Sequence, residues 1–217
     1  MSTAENIGSL GSAGLLDPLG NSRHAGREIP FPRLEAEWQY TPLSAVAEHI
    51  ETDHAVIFRA AGRIERMLDT LVHHGDGRPE LLLIHSQFEL LARDLAQHMD
   101  REKGTIFPCI RAMEKQRELG EICDPLPFGG MARPLGRLTV EHERIAEQLR
   151  AIRELVSDGT PPRGTWLGPS GLYVSLKDLE RKLGNCLELE DEVLFRRALQ
   201  LQDRRAAGSQ SDFAERV

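Results

Sequence analysis

Four apolar stripes, each advancing by alternating steps of three and four residues, constrain this chain more than any other feature. The first runs through Ile50, Ile57, Ala61, Ile64, Leu68 and Leu71, and the second through Ile84, Phe88, Leu91, Leu95 and Ile106. The third passes Leu135, Leu138, Ile145, Leu149, Ile152 and Val156, and the fourth Leu172, Leu176, Leu179, Leu183 and Val193. Such spacing lays one apolar face along an α-helix, and no segment alternates with the period of two that a strand requires. Breaks at Gly75-Asp76-Gly77 and Gly159-Thr160-Pro161-Pro162 separate the stripes. The pattern predicts an all-α, up-down-up-down four-helix bundle over residues 41–204, with helices packed about 20° off antiparallel. Thr41-Pro42 reads as its start, with threonine as N-cap and proline at the first helical position. Residues 1–40 carry Gly8, Gly11, Gly14, Pro18, Gly20, Gly26, Pro30 and Pro32, and read as an irregular extension pinned to the body by Trp38 or Phe31. Residues 205–217 read as a flexible tail.

Composition narrows the partners. Acidic residues outnumber basic ones by 34 to 27 and no basic stripe is visible, so nucleic acid is not an expected partner. No apolar run approaches the roughly 18 residues that a membrane span needs, and the N-terminus has no secretory pattern. The three cysteines, Cys109, Cys123 and Cys186, are too few and too odd in number for a disulfide framework. A cytoplasmic protein is expected.

Each stripe is interrupted in mid-helix by residues that bind metals: His54, His98 with Glu102, His142, and Cys186 with Glu190. A seam position favours Leu, Ile or Val, and a buried carboxylate is costly unless it is paired or metal-bound. A lone seam histidine is commonly a satisfied core residue; the same break in all four stripes points to one shared site. Spacing agrees. His54 to His98 and His142 to Cys186 are both 44 residues, while His54 to His142 and His98 to Cys186 are both 88. A helical hairpin is therefore used twice, with His98-x3-Glu102-x4-Phe107 reappearing as Cys186-x3-Glu190-x4-Phe195. A spacing of four puts both side chains on one helix face, about 6 Å apart. Imidazole and carboxylate in a bundle core suit iron, manganese or zinc by ligand type. A ferritin-like centre would need Glu-x-x-His on two helices; Glu51-Thr52-Asp53-His54 fits, but Thr139 stands where the repeat needs the second glutamate.

The segment from His98 to Pro108 resembles the His-x3-Glu-x4-Phe-Pro signature of hemerythrin-like (HHE) cation-binding domains. Asp53-His54, Val72-His73-His74-Gly75, Met131 before Glu141-His142-Glu143, and Glu190 to Phe195 are closer still to bacterial iron-sulfur cluster repair (RIC-type) di-iron proteins. The resemblance spans about residues 45–200. It implies a non-haem di-iron centre with His54, His98 and His142 as terminal ligands, Cys186 at the family's fourth-helix histidine position, and Glu102 and Glu190 bridging. It further implies binding of or reaction with nitric oxide, dioxygen or peroxide, in nitrosative or oxidative stress response and repair of iron centres. On that ligand set, about one of six positions on each metal stays open for a small ligand. The alternatives are a non-catalytic metal- or gas-dependent regulator, or a bundle with a single structural metal; the physiological protein partner is not legible. Oxygen-carrying hemerythrins have a further histidine where this chain has Ala146. No cysteine precedes Cys109, so the cysteine-bearing N-terminal domain common in RIC-type proteins is not expected.

Of the remaining candidates, His73 and His74 read as helix-end residues, and His49 and His85 as boundary residues away from the site. Cys109 reads as a small core residue and Cys123 as a loop residue. Asp53, Glu141, Glu143, Glu188 and Glu192 read as solvated faces, from which one or two carboxylates orient ligands.

Overall fold

The computed structural model describes residues 37–74, 79–120, 129–158 and 169–203, and all regular structure among them is helical. Helix α1 (Leu43–His74) is the longest rod. Helix α2 (Pro79–Arg101) continues through a π-helical turn, Glu102–Ile106, into α3 (Phe107–Leu119). Helix α4 (Ala132–Asp158) returns, and α5 (Pro169–Leu189) passes through a second π turn, Glu190–Phe195, into a last helical segment, α6, at 196–203. Helix α1 packs mainly on α2 and α5, and α4 on the same two, so α1 and α4 face each other across a diagonal. This is the expected four-rod arrangement. The extension expected over 1–40 lies outside the described residues except for 37–40, as does the tail; Phe31 and Cys123 are outside them too.

The stripes read from sequence are the core. Ile50, Ile57, Leu68, Phe88, Leu149 and Leu176 are all buried, as are the residues flanking them at the same spacing. Each such side chain contributes about 1.5–3 kcal/mol on burial. The layer holding His54, His98, His142, Glu102 and Glu190 is equally buried and forgoes that contribution.

Both hairpins begin on a tertiary cap. The carbonyl of Pro42 accepts the first turn's bonds from Ala45 and Val46 (3.1 and 3.0 Å), so Pro42 rather than Thr41 is the N-cap of α1. Proline has no side-chain acceptor, and the orphan N–H groups of Leu43 and Ser44 instead donate to the two oxygens of Glu114 on α3, at 2.5 and 2.9 Å. Arg197 on α6 closes the corner by donating to the carbonyls of Trp38 and Thr41, both at 2.7 Å. Trp38 packs partly buried against the core. Exactly the 88-residue spacing recurs here: the N–H of Met131, 88 residues after Leu43, donates to Gln202, 88 residues after Glu114, at 2.6 Å. The repeat thus extends from the ligand positions to the ends of the rods. Helix α3 stops at Gly120, whose φ of 64° is the left-handed conformation glycine adopts freely.

Candidate metal centre

The step from Glu102 to Phe107, and from Glu190 to Phe195, is five residues. On a regular α-helix five residues overshoot a whole turn by about 140°, which would turn the phenylalanine away from the glutamate. The π turns that start on Glu102 and Glu190 absorb the extra residue, so glutamate and phenylalanine both face inward. Phe107 then stacks on His54 (ring centroids 6.0 Å apart, 28° between planes) and Phe195 on His142 (5.8 Å, 22°). Each hairpin supplies an aromatic wall to a histidine on a neighbouring rod, and the two walls are related by the repeat.

All six candidates converge. The donor atoms of His98, Glu102, His142 and Glu190 lie within 4.8 Å of one another, and so do those of His54, Cys186 and Glu190. Glu190 belongs to both sets: its Oε1 lies 3.0 Å from His54 Nε2 and accepts the Cys186 thiol at 3.3 Å, while its Oε2 lies 3.2 Å from His142 Nε2. Glu102 Oε2 sits between His54 Nε2 (3.5 Å) and His98 Nε2 (3.4 Å).

Two of the imidazoles are held from behind. His98 Nδ1–H donates to Glu141 at 3.1 Å, and the same oxygen accepts Arg101 at 2.6 Å. His142 Nδ1–H donates to Asp191 at 3.0 Å, whose other oxygen accepts Thr139 at 2.9 Å. With both Nδ1 protons committed outward, both Nε2 lone pairs point into the pocket, where the two nitrogens stand 3.0 Å apart. Two lone pairs at that distance repel unless a cation lies between them.

Without a metal, protons take that place. Burial and the His142 charge beside it lower His98 to about 4, leaving it a neutral acceptor. Burial opposes the charge on His142, but the carboxylates of Asp191 and Glu190 outweigh it and raise His142 to about 10. Burial and the neighbouring Glu190 charge push Glu102 well above the usual carboxylate range; Glu190, despite burial, is held below it by His142 and His54. Burial, reinforced by Glu190, raises the Cys186 thiol.

Even so, neither oxygen of Glu102 accepts a hydrogen bond, nor does Glu190 Oε2, though both residues are fully buried. Unpaired buried oxygens of this kind are expensive. A divalent cation would satisfy these oxygens together with the facing Nε2 lone pairs, and the nitrogen, oxygen and sulfur donors are those that iron, zinc and manganese accept. The residues present fit a metal.

Comparison with known proteins agrees with this donor set. The family model of the hemerythrin HHE cation binding domain matches residues 45–198. The chain belongs to this family. Among curated members, the iron-sulfur cluster repair protein YtfE of Dickeya chrysanthemi is 29% identical over 177 residues, covering 77% of this chain and 71% of the relative. YtfE of Cronobacter sakazakii is 27% identical over 194 residues (85% and 77%), and that of Yersinia pseudotuberculosis 25% over 176 (77% and 71%). The hemerythrin-like, RIC-type resemblance read from the motifs is the one these comparisons return. No helix among the described residues is long and apolar enough to cross a membrane.

The other candidates are placed as follows. His73 and His74 are exposed at the end of α1, and His49 is exposed beside Asp53. His85 pairs with Asp69 at 2.8 Å, away from the pocket, and Cys109 is half-buried. Glu143 is exposed as expected. Two expectations of solvated faces do not hold: Glu188 is buried, and Glu192 is largely covered and ion-paired with Arg196. Residues 186–190 are buried around the whole circumference, so a one-sided stripe cannot describe them. Glu141 is one of the orienting carboxylates anticipated from sequence. Asp191 and Thr139 were missed as a supporting pair; the signal was the acidic residue directly after a bridging-type glutamate, at the five-residue step.

Proposed function

We propose that this chain is a non-haem two-metal protein, with iron as its working metal, held by His54, His98, Glu102, His142, Cys186 and Glu190. Its role is to bind or react with nitric oxide or reactive oxygen in the cytoplasm, in defence against nitrosative or oxidative stress and in repair of iron centres. The observation that carries the metal reading is the pair of fully buried carboxylates with orphaned oxygens, facing imidazoles whose Nε2 lone pairs are directed at them by Glu141 and Asp191. The stress and repair reading is supported by the names of the YtfE relatives. Iron in this position supplies one-electron chemistry and an exchangeable coordination site for a small ligand. The chain's own contribution is to set the tautomers of His98 and His142, to bring both glutamates to both halves of the pocket, and to keep water out with Phe107 and Phe195.

Metal analysis and an absorption spectrum of the aerobically purified protein test this. Two irons per chain, with near-ultraviolet bands that change on adding nitric oxide, are expected. One zinc per chain and no colour would defeat the reading.

A further inference from the structure

The repeat makes it possible to ask where the two halves of the pocket differ. Advancing each residue of the first hairpin by 88 gives its counterpart: His54 becomes His142, Glu102 becomes Glu190, Phe107 becomes Phe195, and Asp53 becomes Glu141. Several positions break the correspondence, among them Glu51, which becomes Thr139, and two of the breaks bear directly on the donors and their support. His98 becomes Cys186, and Lys103 becomes Asp191.

Both breaks fall on the same side of the pocket. Cys186 belongs to the donor group of His54, Cys186 and Glu190, not to that of His98, Glu102, His142 and Glu190. Asp191 is the carboxylate that holds His142 Nδ1, so the residue in the matching place for His54 is Lys103, an exposed cation that cannot accept a proton from a ring nitrogen. Among the described residues, no carboxylate takes the Nδ1 of His54. His54 is also the most exposed imidazole of the three, its side chain 8% accessible against 1% for His98 and 0% for His142. One donor group is therefore all nitrogen and oxygen, locked from behind and dry. The other contains a sulfur and an imidazole that no carboxylate holds from behind.

We infer that the pocket is two unlike metal positions: a tight one on His98, His142, Glu102 and Glu190, and a weaker, thiolate-bound one on His54, Cys186 and Glu190 that accepts thiophilic divalent cations such as iron(II), cobalt(II) and zinc and discriminates against manganese. The inference rests on the metal-centre reading above. Thiolate favours zinc-like ions over manganese, whereas the nitrogen–oxygen position has no such preference. Loss of an outer partner from a metal-bound histidine typically weakens binding 10–100-fold, so the second position is weaker by at least about tenfold. Filling it replaces the Cys186 S–H bond by a sulfur–metal bond and releases one proton to solvent, with no change in oxidation state.

The test starts from the purified, metal-containing protein. Graded EDTA should remove one metal per chain first, with the far-ultraviolet circular dichroism unchanged. Refilling with cobalt(II) should then produce a thiolate-to-cobalt charge-transfer band in the near ultraviolet, and zinc should displace that cobalt where manganese does not. Cys186→Ser should lose the band and keep the tight metal. Lys103→Asp should tighten the second position about tenfold and leave the first unmoved, whereas Lys103→Ala should not tighten it. Loss of both metals together, cobalt refilling without the band, a chain that holds only one metal, or no effect of Lys103→Asp would each overturn the inference while leaving a metal centre in place. A purified protein with no metal at all would instead overturn the reading on which it rests.

Discussion

Asp191 offers the sharpest test of how the pocket is built. Both of its oxygens accept hydrogen bonds, Oδ2 from His142 Nδ1 at 3.0 Å and Oδ1 from Thr139 at 2.9 Å, and its side chain is 8% exposed. In Asp191→Asn the amide can keep its oxygen on His142 by turning its NH2 towards Thr139, whose hydroxyl rotates to accept. What is lost is the charge. A hydrogen bond to a charged group contributes about 1.5–3 kcal/mol and a neutral one about 1 kcal/mol, a difference near 1 kcal/mol and thus about 5- to 10-fold in affinity. Asp191→Ala removes the bond altogether. It leaves the Nδ1–H of a fully buried ring without a partner and frees the ring to take the other tautomer, which points a proton into the pocket; affinity should fall about 10–100-fold. Thr139→Val leaves the charge in place and should cost the least. The assay is metal retention against a graded competing chelator, with the unfolding midpoint measured in parallel. The order wild type, Thr139→Val, Asp191→Asn, Asp191→Ala is expected. Unchanged retention in Asp191→Ala would refute the claim that this carboxylate sets the ligand.

Further predictions follow from the same geometry. In the metal-free pocket His142, raised to about 10, and Cys186, raised above the ordinary thiol range, carry protons at neutral pH, so metal uptake must expel them and affinity must climb with pH. An indicator dye in weak buffer should register acid on metal addition; a silent dye would contradict this. Glu114→Gln should destabilise the fold by about 0.5–2 kcal/mol in urea unfolding, because it weakens the cap on Leu43 and Ser44. Burial raises Glu114, but the hydrogen bonds from Leu43 and Ser44 and the charge of Arg197 prevail and lower it. Its contribution is therefore complete above the ordinary carboxylate range and disappears as pH falls through the folded value, a dependence the glutamine variant should lack. Phe107→Ala should cost about 3–5 kcal/mol as a large buried side chain, and should loosen metal binding on the His54 side more than on the His142 side.

The bundle was legible because its signal is redundant: every stripe repeats its apolar step many times, and one odd residue cannot hide the period. The six pocket residues were legible for the opposite reason, since each stands where the stripe asks for a hydrocarbon. Asp191 and the π turns were not. Reading them requires treating the five-residue step from Glu190 to Phe195 as a local change of helical pitch, and an α-helical projection places Asp191 on a different face from Glu190. The caps escaped for another reason. Glu114 and Leu43 are 71 residues apart, and only the folded hairpin brings a carboxylate on α3 to the start of α1.

The 88-residue register gives this molecule an internal control. Histidine, glutamate and aromatic wall each exist in two copies, His54 with His142, Glu102 with Glu190 and Phe107 with Phe195, so a change in one hairpin can be judged against an unmodified twin within the same chain, under the same solvent and the same fold. Exchanging the residues at 98 and 186, or at 103 and 191, would move the asymmetry across the pocket without altering composition.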